Sequence, residues 1–86
     1  MLGSFENALS YAKKGGNISR AGWNGKHLIV RIQYPDPSSK MTLPYLYLEY
    51  PDGTKVPWLA SQTDLLSDDW DKAFSANYLG PEEESI

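Results

Sequence analysis

The sequence contains no cysteine and only one histidine, His27. Without thiols the chain can form neither a disulfide nor a cysteine zinc site, and thiolate chemistry is excluded. A single histidine is too few for a histidine-based metal cluster within one chain. These absences fit a reducing compartment, so we expect the protein to act in the cytoplasm.

Long apolar runs are missing as well. No stretch approaches the roughly 20 apolar residues that a membrane span needs. No basic region followed by an apolar stretch opens the chain, so secretion is not indicated. The 86 residues predict a single domain over residues 1–79, followed by a flexible acidic tail over residues 80–86. The core of so small a domain is marginal unless an oligomer completes it.

Positive charge is scarce in the second half of the chain. The net charge is −3; residues 1–40 hold six bases and two acids, whereas residues 41–86 hold two bases and nine acids. Long nucleic acid is therefore a poor partner, because many phosphates would have to be neutralised. A small anion held by one or two bases is still compatible with this sequence. Packing of one protomer's basic side on another's acidic side is equally compatible.

Helical spacing and strand alternation predict an α+β fold. Phe5, Ala8, Leu9 and Ala12 fall on one helical face, and Ser4 can cap a helix over residues 4–14 that ends before two glycines. Period-two alternation predicts strands at residues 18–21, 28–34, 43–50 and 54–58, with a last edge strand at residues 70–74. The expected architecture is an N-terminal helix packed on a small antiparallel sheet of four or five strands, with a short helix near the C-terminus.

Turn residues separate these strands. Asn24-Gly25 and the segment 51–53 favour tight turns, and residues 35–40 make a loop rich in proline and serine. In the strand at residues 43–50, Tyr45 and Tyr47 alternate with Leu46 and Leu48. If the leucine face is the core, the tyrosine face is left for a partner subunit or a ligand.

The segment from residue 56 to residue 70 is the densest in the chain. Ser61 followed by Asp64 is a capping-box pattern that starts a short helix, and Leu65 with Leu66 is expected to supply its apolar face. Two tryptophans, Trp58 and Trp70, bracket the segment. One interpretation is a capped helix with two core tryptophans; the other is a site where flat rings and polar groups hold a base, a ribose and phosphates.

Two motifs together resemble a known family. The first is Arg20-x-Gly22-Trp23-Asn24-Gly25-Lys26, and the second is Val56-Pro57-Trp58-Leu59-Ala60-Ser61-Gln62-Thr63-Asp64-Leu65-Leu66-x-Asp68-Asp69-Trp70. They are similar to the second Thoeris anti-defence family, a small phage and prophage domain. The resemblance implies a sponge in the host bacterial cytoplasm that binds a cyclic ADP-ribose-type immune signal without cleaving it. It also implies a homotetramer with pockets where protomers meet, and in some relatives a separate site for cyclic dinucleotides.

For such a ligand we expect ten binding residues. Trp23 and Trp58 would contact the base and ribose, for which the alternative is a core role. The polar residues would bond hydroxyls, base edges and the pyrophosphate, or set the helix start. The full set is Arg20, Trp23, Asn24, Gly25, Lys26, Trp58, Ser61, Gln62, Thr63 and Asp64.

We expect no cofactor, no metal, no catalytic residue and therefore no enzyme activity. Asp64, Asp68, Asp69 and Asp71 are the acids that acid–base or magnesium chemistry could use. Asp64 has a capping role, and we interpret the other three as solvated acids at a helix end. Two alternatives stay open: a phage-encoded adaptor that inhibits a host protein through the tyrosine face, and a nucleotide-processing enzyme.

Overall fold

The computed structural model of this chain describes residues 2–23 and 27–73. The predicted turn at Asn24-Gly25, Lys26, Phe74 and the acidic tail lie outside these residues. In chain order the elements are α1 (Phe5–Lys13), β1 (Ile18–Arg20), a 3-10 helix that we name the Trp23 turn (Ala21–Trp23), β2 (Ile29–Gln33), β3 (Tyr45–Glu49), β4 (Lys55–Pro57), α2 (Gln62–Leu66) and β5 (Trp70–Lys72). The predicted α+β class is confirmed.

Helix α1 begins and ends where its sequence predicts, within one residue. The Ser4 side chain accepts a hydrogen bond from the Asn7 amide at 3.2 Å and caps the first turn. Ala8 and Ala12 are fully buried, which confirms the predicted apolar face. After the last turn, Gly15 adopts a φ of +99°, a conformation that glycine reaches without steric cost and that ends the helix.

The strands form one antiparallel sheet in the order β4-β3-β2-β1-β5. Ile18 pairs with Val30, and Val30 pairs with Leu48, so these three side chains share one face. That face packs against α1, because Ala8, Ala12, Ile18 and Val30 belong to the same buried cluster. The alternation in β2 and β3 is therefore confirmed, with the leucines facing the core.

The second hairpin is also confirmed. Between β3 and β4, the Tyr50 amide donates to the Thr54 carbonyl oxygen at 2.8 Å, and Gly53 has a φ of +92°. The Asp52 carboxylate accepts the Thr54 amide at 2.9 Å, an Asx turn that fixes the reversal. Residues 35–40 contain no helix or strand, as expected. There the Asp36 carboxylate accepts hydrogen bonds from the Ser38 amide and hydroxyl.

Three expectations need correction. Residue 21 was predicted to end a strand, but β1 stops at Arg20 and the chain curls into the Trp23 turn. Tyr47, expected on an open face, is only 8 % exposed. Leu65 and Leu66 do not form a buried face; they are 46 % and 80 % exposed. Helix α2 has only five residues, and its polar Asp64 makes the inward contacts described below.

The described helices include none that is both long and apolar enough to cross a bilayer. Trp70 lies on the edge strand β5, belongs to the core cluster and has a completely buried side chain. Its strand β5 pairs with β1 in the register that places Arg20 opposite Trp70. That register brings the end of the second motif beside the start of the first.

Candidate functional site

Four aromatic rings pack against one another, and we call Phe5, Trp23, Trp58 and Trp70 the aromatic cluster. Trp70 lies at its centre, with ring centroids 5.2 Å from Phe5, 5.4 Å from Trp23 and 5.9 Å from Trp58. All three contacts are edge-to-face, the arrangement that aromatic quadrupoles favour. Trp23 and Trp58 are themselves 6.5 Å apart. Trp70 is therefore a core residue, while Trp23 and Trp58 are only half-buried.

Beside these rings, Arg20 is held between two carboxylates, and we call Arg20, Asp64 and Asp69 the Arg20 cluster. Arg20 Nη1 donates to Asp64 Oδ1 at 2.9 Å, and Arg20 Nε donates to Asp69 Oδ1 at 2.9 Å. A longer contact of 3.4 Å joins Arg20 Nη2 to Asp69 Oδ2. The side chains are 15 %, 14 % and 30 % exposed respectively. One positive charge thus faces two negative charges in a partly desolvated place.

The pKa values in this cluster move in the directions that ion pairing dictates. The hydrogen bonds from Arg20 lower the pKa of Asp69. Partial burial acts to raise the pKa of Asp64, but hydrogen bonds from the Ser61 amide and Arg20 outweigh it, so the net shift is downward. The hydrogen bonds to Asp69 and Asp64 raise the pKa of Arg20. All three groups are therefore charged at neutral pH.

Asp64 also organises the start of α2. The Asp64 amide donates to Ser61 Oγ at 3.0 Å, and the Ser61 amide donates to Asp64 Oδ2 at 3.1 Å, so the predicted capping box is confirmed. The Asp64 carbonyl oxygen accepts the indole N–H of Trp70 at 2.9 Å. Helix α2 is thereby tied to both the Arg20 cluster and the aromatic cluster.

The structure brings five of the ten predicted site residues together: Arg20, Trp23, Trp58, Ser61 and Asp64. Gln62 and Thr63 lie on the exposed first turn of α2. Asn24, Gly25 and Lys26 lie outside the described residues. The ligand contacts of all ten stay predictions. The phosphate contact expected of Arg20 competes with two carboxylates that already neutralise its charge.

Sequence reasoning missed Asp69. It was interpreted as a solvated acid, but its carboxylate binds Arg20 and also accepts the Gly22 amide at 2.8 Å. The contact spans 47 residues of sequence. The contact between Asp69 and Gly22 depends on the pairing of Arg20 with Trp70 across β1 and β5, and no local sequence pattern predicts that pairing.

Shallow grooves lie elsewhere, around Tyr45. One of about 110 Å³ is lined by Gln33, Tyr45, Tyr47, Lys55, Val56 and Pro57. Two neighbouring grooves, of about 310 and 450 Å³, also include Tyr45 and extend along the loop from Pro35 to Pro44. None of these lining residues belongs to the predicted ligand set. The described residues contain no group of three or more histidines and acids placed to hold a metal ion.

Comparison with known proteins gives a family match that spans all of these elements. The family model described as the Thoeris anti-defense 2-like domain matches residues 3–72. A curated relative, Thoeris anti-defense 2 from Bacillus phage SP01, is 30 % identical over 81 aligned residues. That alignment covers 79 % of this chain and 91 % of the relative. The family match runs from just before α1 to the last residue of β5 and so includes both clusters.

Proposed function

Because this chain belongs to the Thoeris anti-defense 2-like family, a family of phage anti-defence proteins, we propose that it acts as a molecular sponge. In this proposal it binds a cyclic ADP-ribose-type immune signal in the host bacterial cytoplasm and holds it uncleaved. Removal of the free signal would block Thoeris immunity. Tight binding with slow release is sufficient for this function, and no chemical step is needed.

The observation that carries the proposal is the pair of half-buried tryptophans on a fixed support. Trp23 and Trp58 each contact the buried ring of Trp70 edge-on, so their positions are set before a ligand arrives. Stacking of a base on an aromatic side chain contributes about 1–3 kcal/mol. The polar first turn of α2 lies beside them and supplies Gln62 and Thr63 for hydroxyls and base edges.

The electrostatics of the Arg20 cluster support binding rather than hydrolysis. A general acid must be protonated near the working pH, and a good general base must have a pKa near it. The pKa values of Asp64 and Asp69 are instead lowered by their hydrogen bonds, and both acids are paired with Arg20. They are better suited to hold protein segments in place than to move a proton.

Assembly into a homotetramer is part of the proposal. Leu59, next to Trp58, and Leu66, at the end of α2, are exposed. Met41 and Leu43, which line a groove with Tyr45, are exposed as well. Large exposed apolar side chains of this kind are typical of subunit interfaces. A neighbouring protomer that covers Leu59 would also close the space beside Trp58. The ligand pocket would then be shared between chains.

Within that pocket we assign the roles as follows. Trp23 and Trp58 contact the base and ribose; Asn24, Gln62 and Asp64 bond hydroxyls or base edges; and Ser61 with Thr63 shapes the helix start. Lys26 and the Arg20 donors that its two carboxylates do not engage would contact the pyrophosphate, and Gly25 completes the predicted set.

The test is a binding and release experiment. The protein is incubated with a panel of cyclic ADP-ribose isomers and one cyclic dinucleotide, and free nucleotide is measured before and after heating the complex. A sponge depletes at least one cyclic ADP-ribose isomer and returns it unchanged on heating. Recovery of ADP-ribose would reassign the protein as an enzyme. Depletion of none of the isomers would refute the proposal.

Matched variants locate the site. Trp23→Ala and Asn24→Ala are expected to weaken binding at least about tenfold, as expected for loss of a stacking or hydrogen-bond contact. The control is Tyr45→Ala, which removes an aromatic side chain from the separate grooves and should bind as the parent does. Affinity is compared at a temperature where each variant is folded, because Trp23→Ala also removes the edge-to-face contact with Trp70 and should lower the melting temperature. Full retention of ligand by both site variants would place the pocket elsewhere.

A protein-binding adaptor is the second candidate, and the Tyr45 grooves favour it. They combine the exposed ring of Tyr45 with Gln33 and Lys55, a mixture of apolar and polar groups typical of interfaces. An adaptor would retain no nucleotide in the release experiment. It would instead lose its host target on Tyr45→Ala, and Trp23→Ala would leave that target bound.

A further inference from the structure

The two segments that carry the predicted ligand contacts are distant in sequence and meet through Arg20 as well as through the contact between Trp23 and Trp58. The Trp23 turn follows Arg20 directly, and α2 reaches Arg20 through Asp64 at 2.9 Å. The direction of the Trp23 ring relative to α2 therefore depends on where the turn is held. The residue that holds it is on neither segment.

That residue is Asp69, which lies just before β5. Its carbonyl oxygen accepts the Ala21 amide at 3.0 Å, and its carboxylate accepts the Gly22 amide at 2.8 Å. The same carboxylate binds Arg20 Nε at 2.9 Å. Asp69 therefore accepts hydrogen bonds from the amides of Ala21 and Gly22 and from the side chain of Arg20.

Gly22 supplies an independent observation on the same contact. A Cβ placed on Gly22 would lie 2.9 Å from Asp69 Oδ2 and 3.1 Å from Arg20 Nη2. Carbon atoms do not approach that closely without displacing one of the two groups. The turn and the carboxylate can contact each other this closely because residue 22 has no side chain. The contact between Gly22 and Asp69 therefore requires both residues: a glycine at position 22 and a carboxylate at position 69.

We propose that Asp69 is a positioning residue of the ligand site: by binding Gly22 and Arg20 it fixes Trp23 against α2 in the geometry that receives the ligand. The identity of the ligand rests on the function proposed above, whereas the geometric claim about Trp23 does not. An exposed ion pair contributes little stability by itself. Here the acid is 30 % exposed, binds two groups of Arg20 and accepts a backbone amide as well, so its loss frees the turn.

The test compares three variants with a control one residue away. Asp69→Ala removes the carboxylate's hydrogen bonds to the Gly22 amide and to Arg20 but keeps the backbone bond to the Ala21 amide. Gly22→Ala displaces the same carboxylate contact from the other side. Asp69→Asn keeps an oxygen for the Gly22 amide while removing the charge. Asp68→Asn removes an exposed charge next to them and is the control. Each is measured by near-UV circular dichroism of the tryptophans, by affinity for the cyclic ADP-ribose isomer that the parent binds best, and by melting temperature.

At a temperature where each variant is fully folded, Asp69→Ala and Gly22→Ala should change the near-UV spectrum of the tryptophans. They should also weaken affinity at least about tenfold, because that is the scale of a lost charge-assisted hydrogen bond. Asp69→Asn keeps an acceptor for the Gly22 amide but puts an amide nitrogen opposite Arg20 Nε, so it should recover part of the affinity. Asp68→Asn should match the parent. Parent-like affinity and spectrum in Asp69→Ala would overturn the proposal. So would an affinity loss that only follows the unfolded fraction.

Failure of the proposed function has a separate signature. If the parent binds none of the isomers, the sponge assignment is refuted. The spectra then decide the position of Trp23 by themselves. A tryptophan signal altered in Asp69→Ala and Gly22→Ala but not in Asp68→Asn supports the positioning role, and unchanged spectra in all variants overturn it.

Discussion

Replacing Trp70 with phenylalanine tests whether the core tryptophan has a different role from Trp23 and Trp58, the two proposed ligand tryptophans. Trp70 has no solvent-exposed surface, contacts three other aromatic rings and donates its indole N–H to the Asp64 carbonyl oxygen at 2.9 Å. The substitution keeps an aromatic ring but removes the second ring and the donor. We expect a loss of stability without loss of a ligand contact.

The magnitude has two parts. Aromatic side chains bury about 150–250 Å², so the step from tryptophan to phenylalanine forfeits about 50 Å², or about 1.2 kcal/mol at 25 cal/mol per Å². The lost hydrogen bond leaves the Asp64 carbonyl oxygen without this donor and adds about 1 kcal/mol. Together they predict a decrease of about 2–3 kcal/mol in the free energy of unfolding. With a slope of about 1 kcal/mol per molar, the urea midpoint falls by about 2–3 M.

The assay is urea unfolding followed by far-UV circular dichroism, at one protein concentration because the proposed assembly makes stability concentration-dependent. Ligand binding is measured in parallel without urea, where the variant is still folded. A decrease below about 0.5 kcal/mol would refute the argument that the Trp70 hydrogen bond and packing hold α2 in place. Loss of binding in a stable Trp70→Phe protein would show that the ligand site depends on this ring, either by direct contact or through the positions of Trp23 and Trp58.

Three further predictions follow from the same contacts. Ser61→Ala removes the oxygen that caps α2 and should lower stability by about 0.5–2 kcal/mol, seen as a lower melting temperature; an unchanged value would show that the capping box contributes nothing. The lowered pKa values of Asp64 and Asp69 mean that their stabilisation is present above the ordinary value of 3.8 and is lost as pH falls through the lower, folded-state values. The urea midpoint should thus stay level from pH 7 to about pH 5 and drop below about pH 4. The drop should be less steep in Arg20→Gln, and an equally steep drop in the parent and this variant would contradict the pairing of Arg20 with the two acids. Leu66→Glu should reduce the oligomer mass in light scattering at micromolar concentration, and a parent that is already monomeric would refute the tetramer.

Local chemistry determined much of the fold in advance. The spacing of Ala8 and Ala12, with Ser4 before and Gly15 after, specified α1 because the cap and the buried stripe lie within a few residues of each other. The capping box of α2 and the Asx turn at Asp52 were predictable for the same reason. In each case donor and acceptor are at most three residues apart, so sequence distance and spatial distance coincide.

The outward direction of Leu66 and the separate roles of the three tryptophans were decided only by tertiary structure. Period and propensity describe one element at a time, and a five-residue helix has no periodicity long enough to show which side faces inward. Asp64 makes the inward contacts of α2 because its carboxylate pairs with Arg20, and Leu66 is left exposed to solvent. Asp69 is the clearest case, since its partner Gly22 lies 47 residues away and is brought near by the antiparallel register of β1 and β5. Such a contact belongs to the assembled sheet, because neither strand's own sequence specifies which residue of the other will stand opposite.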